Sequence, residues 1–170
     1  MNPYGEGGMT AAAIEQMLND RGLGDVGTYL VSTLPDPASA SRRTAWVTDL
    51  YADQPTPGGR VVSEGGFWKP IRPLATASPV MSGNMVLTPL LHSPTQIVSG
   101  VIPVGATRTI TFATAGAYPG ARFRTIRKAT GGLGSLFSVV GTLLPLSGWA
   151  DHEFDPSSNT WVQTASGGLL

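Results

Sequence analysis

At 170 residues the chain has room for one domain or for two small ones. Its 22 glycines and 14 prolines exceed ordinary usage, charged residues are only 13% and hydrophobic residues 41%, which points to turn-rich β structure and argues against disorder. Cysteine is absent, excluding disulfides and thiolate metal sites.

The zero net charge conceals an uneven distribution. Residues 1–64 carry eight acids and four bases, residues 65–150 seven bases and no acid, and residues 151–170 three acids and no base. The middle bases are sparse, so pairing with acidic strands is expected rather than binding to nucleic acid. Met1–Thr10 lacks the basic and apolar regions of a secretory signal. The most apolar stretch, Leu133–Trp149, is broken by Gly134, Gly141, Pro145 and Gly148 before it could span a bilayer. A soluble protein made in a cytosol, with no membrane partner, is the expectation.

In chain order, residues 1–27 read as an arm and a helix. Thr10 is a candidate N-cap, Ala11–Arg21 the helix, and Gly22 its stop. Ile14, Met17 and Leu18 share one face. A helix this short is not stable alone in water, so those three are candidate interface residues. Residues 28–74 read as a first small β module. Strands are expected at Tyr29–Leu34, Thr44–Tyr51, Arg60–Ser63 and Phe67–Lys69, with turns at Pro55–Gly59 and Gly65–Gly66. Residues 75–96 carry no charge and include Pro79, Pro89 and Pro94 beside Met81, Met85 and Leu87. They read as an extended apolar strap laid over a surface. Residues 97–170 read as a second β module of about six short strands, sandwich or jelly-roll-like.

The second module holds two stretches that answer each other in charge. Side chains alternate along a strand, so Arg122, Arg124 and Lys128 share a face in Ala121–Lys128, with Ile126 between them. In Trp149–Asp155, Asp151, Glu153 and Asp155 share a face opposite Ala150, His152 and Phe154. Laid antiparallel, the rows can pair, Arg124 with Glu153 among them, at roughly 0.2–1 kcal/mol per pair. The second stretch then turns through Asp155–Asn159 and returns as Thr160–Thr164.

Reactive constellations are hard to assemble. His92 has no acidic neighbour, and alternation turns His152 away from Asp151 and Glu153. Gly132-Leu133-Gly134-Ser135 fits neither a nucleophile elbow nor a phosphate loop and reads as a turn. A glycosidase would have to be built on Asp151 and Glu153, where nearby arginines favour ionised, structural carboxylates. Trp46, Trp68, Trp149 and Trp161 sit in strand patterns, so core packing is the first expectation. Exposure of Trp68 and Trp161 would suit a sugar-reading surface. No catalytic residue, cofactor or metal is expected.

Leu34-Pro35, Ser41–Asp49, Gly59–Val62 and Gly65–Pro70, together with Ala121–Arg124, Trp149–Phe154 and Asn159–Ala165 followed by Gly167-Gly168-Leu169, resemble the small β modules of tailed-bacteriophage virion proteins. The likeness covers most of residues 28–170; the arm, the helix and the strap fall outside it. It implies a non-enzymatic structural virion protein, a homotrimer that decorates or cements a capsid or forms a short head fibre on the major capsid protein or another virion protein. The alternative it implies is a tail-fibre or baseplate component whose tip reads a host glycan.

Overall fold

The computed structural model describes residues 24–71, 75–145 and 147–168. The chain is mainly β, as expected. The arm and the helix bearing Ile14, Met17 and Leu18 lie outside the described residues.

The first sheet has the order β1 (Asp25–Tyr29), β2 (Thr44–Val47), β3 (Gly59–Glu64), β4 (Phe67–Pro70). β1 runs parallel to β2, and the rest is an antiparallel meander. Gly65 and Gly66 form the two-residue β3–β4 turn with φ of 61° and 81°, the left-handed pair that a tight hairpin requires. Pro70 is tolerated because β4 is an edge. Ala45, Val47, Val61 and Trp68 bury one face, and Trp68 donates its indole N–H to Pro35 O at 2.8 Å.

Tyr29–Leu34, expected as a strand, ends at Tyr29 and becomes a 3-10 turn at Val31–Thr33. Side chains there compete with a ladder for the backbone: Val31 N–H donates to Asp49 Oδ1 at 2.7 Å and Leu30 N–H to Thr33 Oγ1 at 3.0 Å. The Thr44–Tyr51 strand likewise stops at Val47.

The remaining strands are β5 (Thr76–Ala77), β6 (Met85–Leu87), β7 (Thr95–Val98), β8 (Val101–Ile102), β9 (Thr107–Phe112), β10 (Arg122–Arg127), β11 (Thr130–Gly131), β12 (Leu136–Val139), β13 (Thr142–Leu143), β14 (Gly148–Asp155) and β15 (Thr160–Gly168). Their pairing corrects the jelly-roll expectation. A jelly roll is antiparallel, whereas β5–β7–β10, β8–β11 and β6–β9–β12 are three parallel ladders. The chain therefore winds as a short β-helical coil, with two larger sheets facing each other across one core. Between the second and third coils every partner lies 29 positions further on: Arg124 on Thr95, Thr130 on Val101, Leu136 on Thr107. Gly105 and Gly134, at equivalent corners, both hold positive φ. The first coil is shorter, with offsets of 19 at Thr76 and Thr95 and 25 at Met85 and Ile110.

Segment 75–96 is thus no strap over another surface. It supplies β5, β6 and the start of β7, and buries Met81 and Leu87 in the coil's own core. Its strands are two and three residues long between prolines, too brief to show a period.

The antiparallel hairpin β14–β15 closes the coil against β10, giving the sheet order β15-β14-β10-β7-β5. Phe112, Phe123, Phe154 and Trp161 meet beneath it, with ring centres 4.8–5.5 Å apart. The two modules join at Tyr51–Gln54. Tyr51 N–H donates to Leu90 O at 2.7 Å and Ala52 N–H to Leu91 O at 2.8 Å, while Leu90 enters the first module's core. Asp53 accepts from Ser93 N–H, the Ser93 hydroxyl and Gln96 Nε2 at 2.6–3.0 Å. Tyr118 packs on both cores, and burial pushes its hydroxyl up to about 12.

Candidate functional site

The outer face of the five-stranded sheet gathers the charged residues. Regular alternation in β10 and β14 sends Arg122, Arg124, Asp151 and Glu153 outward while Phe123, Ala150, His152 and Phe154 go in. The rung Thr76–Thr95–Arg124–Asp151–Ala165 crosses all five strands, and Arg122–Glu153–Val162 lies beside it. Arg124 grips Asp151 with both prongs, Nε to Oδ1 at 2.7 Å and Nη2 to Oδ2 at 2.6 Å. Its guanidinium lies 5.0 Å from the centre of the Trp149 ring. The hydrogen bond to Asp151 raises the Arg124 pKa further above its usual value. Arg122 reaches Glu153 with Nε at 2.9 Å and Nη2 at 2.8 Å. The two pairs line a groove of about 650 Å³ with Thr76 and Thr95.

Two of the expected charged residues stay outside this arrangement. Continuing the β10–β14 register puts Lys128 opposite Ser147, ahead of β14, and among the described residues no carboxylate pairs with it. Asp155 instead organises the hairpin loop, accepting from the Ser157 hydroxyl at 2.7 Å, the Ser158 hydroxyl at 2.8 Å and Ser157 N–H at 2.9 Å. Those bonds, the Ser157 hydroxyl first, hold its carboxyl below the ordinary range. The pairing of Arg124 with Glu153 is corrected as well: Arg124 faces Asp151, and Glu153 belongs to Arg122.

Both pairs are partly solvated, with side-chain exposures of 51% and 24% for Arg124 and Asp151, so each is a modest strand tie. Exchanging the charges, Arg124→Asp with Asp151→Arg, should recover about 0.5 kcal/mol relative to the sum of the single changes. A double-mutant cycle by urea denaturation measures that coupling, and a value of zero would remove the pair from the stability of the sheet.

The other candidates fall into structural places. His92 accepts from Thr88 N–H at 2.9 Å within its own turn. The Ser135 hydroxyl donates to Gly132 O at 2.7 Å. Trp68 and Trp161 are buried, contrary to any sugar-reading role, whereas Trp46 is 42% exposed. Trp46 borders a separate groove of about 760 Å³ with Gln54, Arg60 and Thr76. Among the described residues no three His, Asp or Glu side chains stand close enough to hold a metal ion.

His152 faces the core edge-on to Phe112, with ring centres 5.1 Å apart and neither ring nitrogen hydrogen-bonded. Burial lowers its pKa from 6.5, and the Asp151 carboxylate opposes this more weakly. The unfolded chain therefore binds the proton more readily. Stability is full above about pH 6.5 and falls as pH drops toward the folded pKa, by at most about 1.4 kcal/mol per pH unit. Urea midpoints at pH 7.5 and 5.5 should show that loss, and His152→Phe should flatten it.

Two features escaped the sequence reading. Arg127 is buried on the inner face with Phe123 and Thr125, which strict alternation along β10 would have indicated. The Asp53–Ser93–Gln96 cluster joins residues about 40 apart and has no local signal. Comparison with known protein families, curated proteins and solved structures finds no match to this chain.

Proposed function

We propose that the chain is a structural virion protein of a tailed bacteriophage: a homotrimeric capsid decoration or cement subunit, or a short head fibre, seated on the major capsid protein or another virion protein. The observation that carries the proposal is the open edge of β15. Among the described residues Thr160–Gly168 pairs only with β14; the strand contains no charged residue and no proline and has one bulge, at Thr164. Edges in free-standing proteins are usually guarded by lysine, proline or brevity, and a nine-residue edge without them suits pairing with another chain. Val101, Val104, Leu133 and Leu136 add exposed apolar surface near one corner of the coil. The charged residues of the sheet face are paired within the chain and tie strands together, a structural use of charge.

Light scattering from micromolar to tens of micromolar protein should give the mass of a trimer. Val162→Lys, which sets a lysine on the edge strand opposite Glu153 of β14, should leave the fold intact and shift the mass toward monomer. A stable monomer of the parent chain over that range would overturn the proposal.

The second reading is a tail-fibre or baseplate component with a glycan-reading tip. The half-exposed Trp46 above a groove edged by Gln54, Arg60 and Thr76 favours it, because an indole face with adjacent polar groups suits a sugar ring. Glycan-array binding lost on Trp46→Ala would establish that reading, and an array without hits would remove it.

A further inference from the structure

The two faces of β10 treat arginine differently. Arg122 and Arg124, on the outer face, each hold a carboxylate. Arg127, on the inner face, is 4% exposed, and among the described residues no carboxylate pairs with it. Its Nε donates to Ala129 O at 3.2 Å and its Nη1 to Leu144 O at 2.6 Å. These bonds occupy two of the guanidinium's five N–H groups and end on neutral carbonyls. The guanidinium also lies 5.3 Å from the centre of the Phe137 ring. A buried charge without a counter-charge is costly, and its burial pulls the Arg127 pKa down.

Arg127 borders a cavity of about 450 Å³ in the third coil, a volume within the range of small-molecule sites. Most of the other walls are apolar: Leu136, Phe137, Leu143, Leu144 and Pro145. The Gly131–Ser135 turn forms the remaining side, and its close packing requires glycine at two positions. A Cβ at Gly131 would run into the Ser135 hydroxyl, and one at Gly132 into the Val104 side chain.

We infer that this cavity is a binding site for a small apolar carboxylate, held by the Arg127 guanidinium with its hydrocarbon stem against Phe137, Leu143 and Leu144. A planar guanidinium matches a carboxylate in a way it matches no neutral group. One cation among apolar walls suits a singly charged acid and disfavours phosphate, which would bring a second charge and no second partner. The inference is independent of the virion reading, since it concerns a cavity within one chain.

The test is titration of the full chain with sodium hexanoate, following the Arg127 Nε–Hε resonance by NMR. A saturable shift with a Kd of about 1 mM is expected, with hexanol at least ten-fold weaker and inorganic phosphate or sodium chloride giving no saturable response. Leu143→Trp places bulk at an exposed cavity wall while keeping Arg127, and should abolish the shift with an unchanged melting temperature. Arg127→Gln should lose hexanoate binding measured by calorimetry. Absence of a saturable shift at 50 mM hexanoate, an equal response to hexanol or phosphate, or a response retained in folded Leu143→Trp would each overturn the assignment.

Discussion

Phe112→Ala should lower stability by about 3–5 kcal/mol, the range for removing a large aromatic from a packed core. The Phe112 ring touches three others across two sheets: Phe123 at 4.8 Å, His152 at 5.1 Å and Trp161 at 5.2 Å between centres. It belongs to the coil, whereas His152 and Trp161 belong to the closing hairpin, so its loss leaves a hole where hairpin and coil meet. Trp161 also donates its indole N–H to Ala113 O at 3.1 Å, next to Phe112 in sequence, so a shift of β9 disturbs that bond too. A domain with 5–15 kcal/mol in hand would lose a large fraction of its margin. Phe112→Leu, which keeps most of the volume, should cost about 1–1.5 kcal/mol. Urea midpoints of the two variants measure the difference, and equal, small losses would mean the cluster does not hold the hairpin.

Asp53→Ala should cost about 2–3 kcal/mol by a different route. Here nothing large is removed. Ser93 and Gln96 are almost wholly buried, and their donors converge on the Asp53 carboxylate from 2.6 to 3.0 Å. Without it, three donors at the joint between the modules lose an acceptor, and an unsatisfied buried group costs more than a hydrogen bond gains. Gln54 does not compensate, because its Nε2 is itself a donor, to Thr76 O and to the Ser93 hydroxyl. Asp53→Asn retains one acceptor oxygen but turns an amide toward donors, so it should fall between parent and alanine variant. The same denaturation series decides the matter, and a loss under about 0.5 kcal/mol would show that water replaces the carboxylate.

The sequence carried some of this geometry and hid the rest for definite reasons. Which residues of Ala121–Lys128 and Trp149–Asp155 face outward was legible, because a strand's side chains repeat every two residues. Their partners were not: sliding β14 by two positions keeps every face and changes every pair, so alternation allows Arg124 to face Glu153 as readily as Asp151. The winding of the chain was illegible for a related reason. Stacked positions share little beyond Ile97 with Ile126 and Gly105 with Gly134, and a strand's own residues do not say which neighbour it will meet. Val98 lies beside Arg127, an apolar side chain beside a cation in one ladder, a pairing that composition argues against. The joint between modules was hidden because its hydrogen bonds span about 40 residues.

A body wound in this way has a unit of growth. One more complete turn, 29 residues, would carry the hairpin about 4.8 Å further along the axis and leave each existing pairing as it stands. Between strands the length can vary, as the first coil's offsets of 19 and 25 show, but an insertion inside a strand would break the ladder it belongs to. Taller or shorter versions of this molecule should therefore differ from it by whole turns, so that the distance it reaches is set by the number of turns.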